Sequence, residues 1–127
     1  MKFAKYTFLA AGVYGILVLL PQYFFETKIG IDTPPAITHP EFFYGFVGVG
    51  LAFQLVFLII STDPAKYRLF ILPSVVEKLT FAIAAAVLVA QGRLSGPIIY
   101  GAAIDLVLAV LFIISWFKLR QNAPHLV

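Results

Sequence analysis

Long uncharged stretches separated by short polar breaks set the pattern of this chain. Residues 6–25 and 42–62 carry no charged side chain, residues 69–92 are interrupted only by Glu77 and Lys78, and residues 94–117 only by Asp105. A helix rises about 1.5 Å per residue, so about 20 residues cross a hydrocarbon layer about 30 Å thick, and each stretch is long enough. Lipid offers backbone groups no partners, which requires helices unless strands close into a barrel. Transmembrane strands would be about 10 residues with alternating polarity, and nothing here alternates. The pattern predicts an all-α integral membrane protein, a four-helix up-down bundle forming a single membrane domain over residues 1–127. Its helices are expected at about 6–25, 41–61, 69–91 and 97–118, with an extracytoplasmic loop at 22–40.

The breaks fit that count. The long loop holds Pro34, Pro35 and Pro40, the next turn holds Asp63-Pro64, and the last holds Gly92, Ser95, Gly96 and Pro97. Proline and glycine punctuate in this way, and short turns make successive helices antiparallel. In the long loop, Tyr23, Phe24, Phe25, Ile29 and Ile31 are apolar enough to lie on the outer leaflet, cap the bundle or line a ligand entrance. Lys2 and Lys5 ahead of the first stretch also fit a secretory signal. The length of that stretch, Pro21 and the lack of a small-residue cleavage site favour a retained helix.

Composition supports the membrane assignment and removes several functions. The chain is 61% hydrophobic and 12% charged, against about 45–50% and about 25% in soluble domains. It has no cysteine, which excludes disulfides and thiolate chemistry. The basic residues form no patch, so nucleic acid is not an expected partner. His39 and His125 have no ligand partner at helical spacing, so no metal site is expected. No phosphate-binding loop or Ser/His pairing occurs, and no cofactor is specified.

Charge placement gives orientation. With the N-terminus inside, Lys2, Lys5, Lys66, Arg68, Lys118 and Arg120 are cytoplasmic, and only Lys28 and Arg93 lie outside. This bias predicts a multi-pass membrane protein with both termini cytoplasmic.

Helices in lipid associate through small residues and polar contacts. Ala11 with Gly15, Gly48 with Ala52, the alanines at 82 and 84–86, and Gly101 to Ala103 are the expected packing surfaces. The polar residues at membrane depth are the candidate chemistry, because a charge there costs at least about 2.5–3.5 kcal/mol. Glu77, Lys78, Asp105, Gln54 and Tyr14 fall at similar depth, in a slab expected between the midplane and the cytoplasmic side. Three stripes should turn inward: Ser74–Glu77–Thr80, Gly101–Asp105–Ala109 and Gly50–Gln54. Glu77 and Lys78 point about 100° apart and are expected to be poor mutual partners, leaving Lys78 to reach Asp105 or to snorkel. Two interpretations stay open. The cluster either fixes helix register as an internal network, or lines a cavity for a lipophilic ligand with a polar head.

The run His39-Pro40-Glu41-Phe42-Phe43-Tyr44-Gly45-Phe46, then Asp63-Pro64, Tyr67-Arg68, Glu77-Lys78 and Asp105, resembles the DoxX-like family of small four-helix bacterial membrane proteins. The resemblance covers most of residues 40–118. It implies the fold, and permits a quinone-linked or accessory-subunit role. The partners expected are the lipid bilayer, a lipophilic small molecule such as a quinone or lipid, and a membrane-protein partner or a second copy. An accessory or ligand-binding bundle is the first expectation. A membrane enzyme acting on a quinone or lipid, and a small proton-coupled transporter working as an oligomer, are the alternatives.

Overall fold

A computed structural model of the chain describes residues 1–122, so the expectation for His125 lies outside the described residues. Five α-helices appear in the order α1 (Lys2–Gln22), α2 (Glu26–Asp32), α3 (Pro40–Thr62), α4 (Ile71–Ala90) and α5 (Ile98–Asn122), with a 3-10 turn at Arg68–Phe70 leading into α4. The four long helices are each long and apolar enough to span a membrane. No strand occurs among the described residues. The all-α four-helix membrane bundle is therefore the architecture of this chain.

Helix limits differ from the uncharged stretches at both ends. α1 begins at Lys2, ahead of the first uncharged residue, and α5 runs to Asn122, through Lys118 and Arg120. Charge marks where hydrocarbon ends, whereas backbone hydrogen bonds let a helix continue into the headgroups. The loop also holds more structure than the prolines suggested. α2 is a seven-residue helix, tied to α3 where the Tyr44 hydroxyl donates to Glu26 Oε1 at 2.9 Å. Phe24, Phe25 and Ile31 around it are exposed.

α1 packs chiefly on α3, and α4 on α5, while α1 meets α5 and α3 meets α4 to close the ring. The α3–α4 seam is the loosest of the four. Lys118 Nζ lies 4.6 Å from the centre of the Phe3 ring, which puts the start of α1 beside the end of α5. The turn between α4 and α5 is a Schellman motif: Arg93 N–H donates to Leu88 O at 2.8 Å and Gly92 N–H to Val89 O at 3.0 Å. Gly92 takes φ +70°, the left-handed conformation that this helix end needs.

The bundle is apolar outside and partly polar inside. Leu17, Ile83 and Val107 are 70%, 59% and 58% exposed, whereas Gln54, Lys78 and Arg68 are 1%, 4% and 1% exposed. Water would impose the opposite arrangement, so this polarity is the mark of a protein dissolved in lipid.

The half of the bundle holding the termini is densely filled. Phe8 stacks on Phe112 at 4.2 Å, and Phe57 meets Phe112 edge-on at 5.0 Å. Ala4, Ile60, Ile71 and Leu119 complete this core. Arg68 is not the surface charge expected from sequence. It lies buried with its guanidinium 3.6 Å from the centre of the Trp116 ring, an arrangement that exploits the aromatic quadrupole.

Small residues seat α1 against α3, but not all the expected ones. Ala11, Gly12 and Gly15 of α1 are buried, and so is Gly50 of α3. Gly48 and Ala52 instead face outward, and nothing lies within 4 Å of where a Gly48 Cβ would be. The i, i+4 spacing was right, but the phase around α3 differs by two residues.

Candidate functional site

The half of the bundle away from the termini is hollow. A cavity of about 150 Å³ runs from the middle of the bundle toward the end carrying α2, touched by all four long helices. Tyr14, Gln54, Glu77, Lys78 and Asp105 all line it. The five candidate residues are thus brought to one space. From those five residues the cavity extends away from the termini, as far as Gln22 of α1, Phe46 of α3 and Ile98 of α5. Phe8, Phe57 and Phe112 fill the other half.

Lys78 is the hub. It belongs to the buried face Ser74–Lys78–Ala82–Ala85 of α4, so Lys78 points into the bundle, with Glu77 half-buried beside it at the cavity wall. Its ammonium donates to Asp105 Oδ1 at 3.2 Å and stands 3.6 Å from Glu77 Oε2. The two neighbours do pair, contrary to the helical-angle argument, since long side chains can converge although their Cα–Cβ bonds diverge. The Lys78 ammonium also lies 5.2 Å from the centre of the Phe57 ring, where the filled half begins. Thr80 does not join the inward stripe. It is exposed, and its hydroxyl donates to Glu77 O at 3.2 Å.

Gln54 supplies the opposite wall. Its Nε2 donates to Gly50 O at 2.8 Å. A carbonyl oxygen can only accept, so this bond fixes which end of the carboxamide is nitrogen and leaves Oε1 on the other side. That oxygen is buried and has no hydrogen-bond partner. Gly15 makes room for it, since a Cβ at Gly15 would overlap the Gln54 carboxamide. Glu77 Oε2 is likewise buried without a hydrogen bond. Buried acceptors left unsatisfied cost about 1–3 kcal/mol each, more when charged.

Apart from Gln22 at the end near α2, the rest of the lining is apolar, chiefly Val18, Leu19, Phe46 and Phe81. Two carboxylates face one ammonium, so the fully ionised cluster carries an excess negative charge. No group of three or more His, Cys, Asp or Glu that could hold a metal ion occurs among the described residues. The chemistry available is hydrogen bonding, charge recognition and proton holding in a largely apolar space.

Phe46, Phe81 and Gly15 were not foreseen as part of the site. The phenylalanines are two among thirteen in the chain, and nothing local marks them. Gly15 was seen as a packing residue, and its spacing from Ala11 carried that signal alone. Comparison of the chain with protein-family models, curated proteins and solved structures gives no match.

Proposed function

We propose that this protein binds a lipophilic ligand, a quinone or lipid, whose polar head sits between Gln54, Glu77, Lys78, Asp105 and Tyr14. The observation that carries this is the Gln54 carboxamide: 1% exposed, lining a cavity, with Oε1 lacking a donor. A pure register device would satisfy its own polar atoms, because half-satisfied networks cost more than apolar packing. The cavity profile, mostly apolar with a few convergent polar groups, is that of small-molecule sites. The bundle would act as a ligand carrier or accessory subunit of the bacterial inner membrane, DoxX-like in kind, with cytoplasmic termini. The run from His39 to Phe46 opening α3 and the lysine and arginine bias support that placement.

Native mass spectrometry of the protein released from mild detergent tests the binding. The wild type should carry a lipophilic adduct, and the double variant Gln54→Leu/Asp105→Asn should lose it while keeping its helical circular dichroism. Equal adducts on both would overturn the proposal. Orientation is tested by labelling intact cells with a membrane-impermeant thiol reagent, because the chain has no cysteine of its own. Lys28→Cys should label and Lys66→Cys should not.

A further inference from the structure

A cavity of about 150 Å³ cannot take a whole lipophile, since sites for drug-sized ligands occupy about 300–1,000 Å³. It has room for a head and little more, so a tail must lie elsewhere. The α3–α4 seam offers the place. A groove opens there between Gly45, Val49, Thr80 and Ala84, and it shares Phe46, Gly50, Glu77 and Phe81 with the cavity wall. The Phe46 and Phe81 rings face each other across this seam, 6.3 Å between centres. Val49 is 61% exposed, so the groove faces lipid. Glu77 therefore stands where the outside groove meets the inner cavity.

The site also selects a head. Lys78 is held by Asp105 at 3.2 Å and Glu77 at 3.6 Å, so one ammonium is set against two carboxylates. Gln54 Oε1, seated against Gly15, accepts no hydrogen bond, and Glu77 Oε2 has only the Lys78 ammonium at 3.6 Å, beyond hydrogen-bond distance. An anionic head would add negative charge and no donor. A protonated amine would bring both things the site lacks, positive charge and N–H groups.

We propose that the ligand is a lipophilic amine that enters sideways from the bilayer through the α3–α4 seam, parting Phe46 and Phe81. Its ammonium lies against the Glu77 carboxylate, where groove and cavity meet, and its tail remains in the groove beside Val49 and Ala84. This rests on the ligand-binding function proposed above.

The test uses radiolabelled dodecylamine and the full-length protein in phosphatidylcholine nanodiscs, with empty discs subtracted. Binding should saturate, and dodecanoate should compete at least about tenfold less well than unlabelled dodecylamine, the scale of one charged hydrogen bond. Glu77→Gln should weaken binding by about the same factor. Val49→Trp, which fills the groove where the tail lies, should slow association about tenfold and also weaken binding about tenfold, the equivalent of about two buried methylenes, because it narrows the route and takes the tail's place. Val107→Trp, the same change on an exposed face of α5, should change neither. Equal competition by dodecanoate would overturn the choice of head. Unchanged rates in Val49→Trp, with slowing instead in Ile98→Trp at the α2 end, would overturn the route. If the wild type carries a cavity adduct that dodecylamine fails to displace, this inference falls and the ligand-binding function stands. If no adduct is found and dodecylamine does not saturate, both fall.

Discussion

The two halves of this bundle solve the same problem differently. Near the termini, every buried serine hydroxyl is satisfied by its own helix: Ser61 donates to Leu58 O, Ser74 to Phe70 O and Ser115 to Leu111 O. Between them the aromatic rings of Phe8, Phe57 and Phe112 close the interior. In the half toward α2, the polar groups reach between helices, and Gln54 Oε1 and Glu77 Oε2 find no hydrogen-bond partner. The first half keeps its serine hydroxyls bonded locally and its space filled by rings. The second is left incomplete by its own side chains, which is the signature of a site.

That contrast can be broken by substitution. The largest effect is expected in the filled half, where Phe112→Ala should cost about 3–5 kcal/mol, the usual price of emptying a packed aromatic site. It would be read as a large drop in detergent thermal stability. Phe81→Ala, at the hollow half's loose seam, should cost clearly less. Equal losses would dissolve the distinction between the halves.

Lys78→Met comes next. It removes the ammonium from two half-buried carboxylates, and breaking such a pair costs about 3 kcal/mol or more. Adding Asp105→Leu should recover part of that stability, since one of the stranded charges is then gone. Absence of any rescue would mean that Lys78 acts by packing on Phe57 rather than as an ion partner.

A smaller effect separates site from scaffold most sharply. Gly15→Ala should cost about 1–3 kcal/mol by overpacking, and Gln54→Leu added to it should remove part of this penalty. Gln54→Leu alone should be near neutral in stability, because it deletes an unsatisfied acceptor, while reducing the lipophilic adduct seen by native mass spectrometry. Ser115→Ala in the filled half should change stability least, by about 0.6 kcal/mol, as intramembrane hydrogen bonds average, with no effect on the adduct.

Much of this protein was legible in its sequence. Hydrogen-bond demand in lipid and the lengths of four uncharged stretches leave essentially one architecture, and the structure has it. The cost of intramembrane charge singled out Glu77, Lys78 and Asp105, and the same logic added Gln54 and Tyr14. All five line one cavity. Expectations that depend on the rotation of a helix or the reach of a side chain were met only in part: Gly50–Gln54 and Asp105–Ala109 turn inward and Lys78 reaches Asp105, but others differ. Gly48 and Ala52 shared the right spacing but the wrong face. Thr80 fell on the lipid side. Lys78 is buried more deeply than Glu77 beside it, and Arg68 went inside onto Trp116.

The reason lies in how each kind of information is encoded. Span count and polar inventory follow from solvation of each segment by itself, and solvation is a sum over residues that a sequence carries in full. Which half is filled and which is hollow depends on three phenylalanines from three helices meeting, and on Gly15 clearing space for a glutamine thirty-nine positions away. Those are relations between helices, set by packing distances of a few tenths of an ångström, and only the tertiary structure decided them.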